Sequence, residues 1–131
     1  MNINIGTNRD LIFKQYLSII NTLLPKDKKL SEIEMRVFSR MLQVYYMYLY
    51  LGENQANTLV FHKEIKKRIR EAIGVELGSI YSQYSFNNVL TSLRRKGFVE
   101  GTSIKHKVPY GKKGISINIS LEIKDGGESS E

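Results

Sequence analysis

The stretch over residues 81–99, YSQYSFNNVLTSLRRKGFV, constrains the fold of this chain more than any other. Phe86, Val89, Leu90 and Leu93 recur at i, i+3, i+4 and i+7, which is one apolar stripe on an α-helix. At about 100° per residue, the opposite face carries Tyr84, Asn88, Thr91 and Arg95, with Asn87 and Ser92 on its flanks. Arg94, Arg95 and Lys96 fill the last turn, where cations suit the negative end of the helix dipole. Gly97 stands where a residue of positive φ closes a helix, and Phe98-Val99 opens an extended run. A hydrogen-bonding face on a helix that ends in basic residues is what insertion into a DNA major groove requires. The same face also reads as an ordinary solvated one.

Upstream, a helix over about 9–24 is expected after Thr7 or Asn8 as cap, with Phe13, Leu17, Ile20 and Leu24 as its buried stripe and Pro25 as its stop. Residues 26–29 form a charged linker. Ser31 and Glu34 have the spacing of a capping box and open a long central helix over 31–51, ended by Gly52. Its first half turns Ile33, Val37 and Met41 inward and Arg36 and Arg40 outward. Its second half, VYYMYLYL, is apolar or aromatic on every side and must be covered on every side. Two explanations stand: a core helix wrapped by its neighbours, or an interface for a second copy or a partner supplied by Tyr46 and Tyr50. Residues 53–58 read as a polar loop. A helix over 61–73 follows, with Phe61, Ile65, Ile69 and Ile73 inward and Lys63, Lys66, Lys67, Arg68 and Arg70 outward. Residues 74–78 read as its connection to the next helix, which Ser79 or Ser82 would cap.

After Gly97 the period changes from 3.6 to 2. A first strand is expected over 98–107, interrupted by Pro109, then a basic, glycine-rich tip over 109–114. Residues 115–123, ISINISLEI, alternate without error and form the second strand. A third short strand would come from Leu59-Val60 or from Ile3–Ile5, the latter reading equally as a frayed arm. Residues 124–131 hold no apolar side chain and read as a disordered acidic tail.

Charge is placed unevenly. Residues 57–114 hold 12 Lys/Arg against 4 Asp/Glu, whereas the rest of the chain holds 8 against 9. A basic half joined to a nearly neutral half fits an anionic partner such as nucleic acid, or a solvated basic surface. Cysteine is absent, so disulfides and thiolate metal sites are excluded. No apolar run has bilayer-spanning length and no signal-peptide layout is present, so a cytoplasmic protein is expected. His62 and His106 are far apart, without neighbouring acids, and His62 reads as a polar surface or capping residue. No paired carboxylates, nucleophile elbow, metal spacing or phosphate-binding loop is found. The expectation is a protein that is not an enzyme, with no catalytic residues, metal or cofactor.

The phrase SLRRKGFVEG, followed by a basic loop and an alternating strand, resembles winged-helix DNA-binding proteins, broadly those of the MarR type and small phage-encoded relatives. The resemblance covers roughly residues 31–123. It implies a mainly α fold with a small β hairpin (α+β): one winged-helix domain over 1–123, with a helix-turn-helix over 61–96 and a wing over 98–123. Base contacts are expected from Tyr84, Asn87, Asn88, Thr91 and Arg95. Phosphate contacts are expected from Lys63, Lys67, Arg68, Arg94 and Lys96 on the helices, and from Lys105, Lys107, Lys112 and Lys113 on the wing. The function expected is binding of double-stranded DNA by a dimeric transcription regulator or phage-type accessory factor, associated with the nucleoid. The alternative is a winged helix used as a protein-interaction module in a virion, replication or transcription assembly.

Overall fold

The computed structural model describes residues 9–105, 107–109 and 116–118, with side chains over 13–105. Helix α1 (Arg9–Leu23) buries Phe13, Leu17 and Ile20 as its spacing predicts, together with a fully enclosed Tyr16, and Leu24 is buried just past its end. After Pro25 a short 3-10 turn (Lys26–Lys28) leads to Leu30. The Asn21 side chain holds that connection at both ends of one residue. Its Oδ1 accepts from the Leu30 N–H at 2.7 Å and its Nδ2 donates to the Leu30 carbonyl at 3.1 Å.

Helix α2 (Glu32–Met47) begins with the expected capping box: Ser31 Oγ accepts from the Glu34 N–H at 3.2 Å, and Glu34 Oε1 accepts from the Ser31 N–H at 2.9 Å. Val37, Phe38, Met41, Leu42 and Tyr45 are buried along it. Burial pushes the Tyr45 hydroxyl up to about 12. As expected of a central helix, α2 packs against α1 and against the three later helices α3 (Glu53–Val60), α4 (Lys63–Leu77) and α5 (Gln83–Lys96). Arg36 and Arg40, expected outward, are half-buried and reach Glu76 of α4, with Arg36 Nη1 donating at 2.8 Å and Arg40 Nε at 2.9 Å.

The helix does not run on to Leu51. It ends at Met47, Tyr48 caps it, and the chain tightens into a 3-10 turn over Leu49–Leu51 before Gly52, whose φ is 105°. One straight cylinder cannot bury eight consecutive apolar residues on all sides. The change of winding keeps Leu49 against the core and releases Tyr50 and Leu51 to solvent. The expected polar loop over 53–58 is instead α3, anchored by Ala56 and Val60 one turn apart, both fully buried. That helix also corrects the start of α4: Phe61 caps α3, and α4 begins at Lys63 behind His62, whose Nδ1 accepts from the Glu64 N–H at 3.1 Å. Leu59-Val60, weighed as a strand, lies in α3; Ile3–Ile5 lies outside the described residues.

Residues 74–77, expected as a connection, belong to α4. Gly74 is a packing glycine: a Cβ there would stand 2.7 Å from the Ser79 carbonyl oxygen, where the chain turns back over the helix. Gly78, at φ 73°, ends α4 in the left-handed region. Ser82 caps α5, accepting from the Ser85 N–H at 3.0 Å.

Two antiparallel pairs follow. Strands β1 (Val99–Glu100) and β2 (Ser103–Ile104) pair Val99 with Ile104, and β3 (Lys107–Pro109) and β4 (Ser116–Asn118) pair Val108 with Ile117. The single first strand over 98–107 is thus divided by a tight turn at Gly101, and Pro109 takes part in pairing at the strand end. Asn57 Oδ1 of α3 accepts from the Ile104 N–H at 2.8 Å, in the place of a further strand. The expected strand over 115–123 is present at 116–118. The tip over 110–115, residues 119–123 and the tail over 124–131 lie outside the described residues. The fold is mainly helical with small antiparallel β hairpins. Among the described residues no helix is long and apolar enough to cross a membrane.

Candidate functional site

Helix α5 is buried on one side through Phe86, Val89, Leu90 and Leu93. That burial fixes which side chains face out. Tyr84 is 76% exposed, and Asn87, Asn88, Thr91 and Arg95 are exposed as expected. Among the described residues, the Asn88 amide has no hydrogen-bond partner, so both its donor and acceptor sides face solvent. Thr91 donates its hydroxyl to the Asn87 carbonyl at 3.0 Å, which leaves its oxygen as an acceptor and its methyl exposed. Arg95 Nη2 donates to Ser92 Oγ at 3.3 Å.

The C-terminal end of α5 is fastened from beneath. Glu34, nearly enclosed, accepts from Lys96 Nζ at 2.7 Å, from Ser92 Oγ at 2.6 Å and from the Ser31 N–H at 2.9 Å. Burial raises the carboxyl, but the hydrogen bonds from Lys96, Ser92 and Ser31 outweigh it and hold Glu34 below the ordinary glutamate range. Lys96 Nζ also donates to the Lys29 carbonyl at 2.7 Å. Lys96, expected on a phosphate, therefore spends its ammonium inside the fold. Arg94 Nε donates to the Gly101 carbonyl at 3.0 Å, tying α5 to the first hairpin while its side chain stays exposed.

Beside the N-terminal half of α5 lies the N-terminal half of α4. Together they form a cleft of about 440 Å³ lined by Lys63, Lys66, Lys67 and Arg70 from α4, and by Gln83 and Asn87 from α5. None of the four cations is paired with an acid among the described residues, and Glu64 is the one carboxylate on the lining. Four cations in one cleft focus a positive potential on whatever enters it. The expected contacts Lys63, Lys67 and Asn87 are thus brought together. Arg68 is not with them. It lines a separate, smaller cleft of about 270 Å³ with Val44, Met47, Tyr48 and Ile69. Lys105 pairs with Glu100 at 3.0 Å on the hairpin side. The side chain of Lys107, and Lys112 and Lys113 altogether, lie outside the described residues.

Tyr46 and Tyr50, expected together at an interface, differ. Tyr46 is half-buried, stacked on Phe13 at 5.7 Å and edge-on to Tyr45 at 5.2 Å. Tyr50 is 80% exposed, with Met47 and Leu51 about half exposed nearby in sequence.

Gln83 was missed as a lining residue, although it precedes Asn87 by one helical turn. Nothing in the sequence ties Glu34 to Lys96, 62 positions apart. No group of three or more His, Asp or Glu among the described residues is placed to hold a metal ion. Comparison with protein-family models, with curated proteins and with solved structures found no match to this chain.

Proposed function

We propose that this protein binds double-stranded DNA as a winged helix, with α4 and α5 as its helix-turn-helix pair and β3–β4 as its wing, in the role of a small transcription regulator or phage-type accessory factor. The observation that carries the reading is the cleft in which unpaired α4 cations meet the exposed amide face of α5. Duplex DNA presents those two chemistries side by side. Phosphates suit Lys63, Lys67 and Arg70, and base edges in the major groove suit Asn88, whose amide matches adenine N6 and N7. Arg95 suits guanine or phosphate, and Tyr84 and Thr91 suit a thymine methyl. The role is one of binding, without catalysis or cofactor.

The test is fluorescence anisotropy of a labelled generic duplex against salt. Affinity should fall steeply as salt rises, and Lys67→Gln should flatten the log–log slope by roughly one unit, one condensed counterion fewer being released. No binding at low salt removes the proposal.

A second reading is favoured by Met47, Tyr50 and Leu51, which leave an apolar edge at the end of α2. There the chain would pair with a second copy or a protein partner. A monomer in sedimentation at high concentration, unchanged by Tyr50→Ser, ends the self-association form of this reading.

A further inference from the structure

At the far end of α4 from its N-terminal cations lies a third cleft, of about 590 Å³, lined by Gly74, Val75, Ile80 and Tyr81 together with Arg70 and Glu71. Its character is different. Ile80 is 95% exposed and Val75 82% exposed, and Leu77 nearby is 44% exposed. Isolated exposed apolar side chains are ordinary, but Val75 and Leu77 on the last turn of α4 and Ile80 just beyond it fall within six residues of one another. The floor is a built feature: glycine at 74 leaves room for the Ser79 carbonyl oxygen, which would stand 2.7 Å from a Cβ there, so the connection can lie close over the end of α4.

This cleft and the cationic one meet at Arg70, which lines both. An apolar slot thus continues into a slot carrying Lys63, Lys66 and Lys67. A phosphate backbone could occupy the cationic part, but it offers no apolar surface to Ile80 and Val75. An occupant that satisfies both parts carries a large apolar side chain beside several negative charges. We propose that the α4–α5 corner is a docking site for an acidic protein segment with an apolar anchor: the anchor sits between Val75 and Ile80, and the carboxylates run over Arg70 towards Lys67. Apolar anchoring supplies the affinity and the cations supply register and on-rate. Because Lys67 and Arg70 serve both surfaces, the segment and duplex DNA would compete. The docking itself does not depend on DNA binding.

The experiment is selection of a randomised peptide display library on the full chain, followed by anisotropy titration of the enriched peptides. Ile80 is so exposed that Ile80→Ser leaves the folded core untouched. The enriched peptides should combine a large apolar residue with neighbouring Asp or Glu. Ile80→Ser should weaken them about tenfold, the loss of one anchored apolar side chain. Lys67→Gln should weaken them at low salt, with the difference shrinking as salt rises. Duplex affinity should stay unchanged in Ile80→Ser. The proposal is overturned if no such peptides are enriched, or if they bind Ile80→Ser as well as the unmutated chain. It is equally overturned if Ile80→Ser weakens duplex binding, making DNA the occupant, or changes the sedimenting mass, making it a second copy. An unmutated chain that binds peptides but no duplex sinks the DNA reading and leaves this one standing.

Discussion

The two ends of α5 use the same kinds of side chain in opposite ways. At the C-terminal end, the exposed Arg95 apart, polar groups are consumed within the fold: Lys96 and Ser92 on Glu34, Arg94 Nε on the Gly101 carbonyl, and the Phe98 N–H on the Leu93 carbonyl at 3.0 Å behind the left-handed Gly97. At the N-terminal end, Ser82 caps the helix and Phe86 seats it, while Gln83, Tyr84, Asn87 and Asn88 face solvent. A recognition surface needs both. An end satisfied internally fixes the helix direction, and an end left unsatisfied is free to meet a partner. The basic last turn, which in sequence looks like part of the contact surface, belongs in good part to the anchor.

The largest effect expected is at the anchor. Glu34→Ala leaves the enclosed Lys96 ammonium without its carboxylate and should cost about 3 kcal/mol in urea denaturation. A loss within about 0.5 kcal/mol, as for an ordinary surface substitution, would mean that this cluster does not hold α5. Next comes the open end, where the sign of the comparison reverses. Asn88→Ala should leave stability within about 0.5 kcal/mol, yet cost about 1–3 kcal/mol of affinity on a preferred duplex and little on random DNA. Equal weakening on both duplexes removes base reading from this face. Smaller again, Ser82→Ala should cost about 1 kcal/mol of stability by freeing an N-terminal N–H of α5.

The finest discrimination is in pH. Glu34 is held below the ordinary value of 4.5, so its contribution is complete above that value and is lost as pH falls through its lower folded value. Glu32, lowered by the hydrogen bond from Lys14, and Glu76, which burial raises but Arg40 and Arg36 lower further, are shifted in the same direction and add their own loss of stability in acid. The informative quantity is therefore the difference between the unmutated chain and Glu34→Gln, from about pH 6 to about pH 3. The gap between their denaturation midpoints should close as the solution becomes acidic. A constant gap means the cluster does not act through its charge.

Much of this was legible in the residues. Stripes at helical spacing located α1, the first half of α2, and α5, because each buries one continuous face against the same core. The capping box at Ser31 and Glu34 and the closing Gly97 were readable because their geometry is local. The misses have one cause in common: tertiary packing decided where local pattern was ambiguous. Two buried residues, Ala56 and Val60, suffice to make a helix of a polar stretch. Gly74 reads as a breaker until the approach of Ser79 is known. For the candidate site, burial of the α5 stripe dictates its exposed face, so Tyr84, Asn88 and Arg95 could be named in advance. Lys96 could not be separated from the contact residues, since its partner lies on another helix. Arg68 follows Lys67 directly and yet faces a different cleft, because one residue turns a helix by about 100°.

The Asn21 clamp bears on how copies of this chain could associate. Helical domains can exchange an end helix between protomers when the connecting segment opens as a hinge. Here the connection cannot open without stripping both backbone groups of the buried Leu30 of their amide partner. Opening exchanges each of these hydrogen bonds for one to water, at about 0.5–1.5 kcal/mol apiece. The asparagine therefore adds to the barrier against opening that hinge and not to the balance between closed and exchanged forms, because an exchanged α1 would offer the same amide to the same Leu30 groups of the other copy.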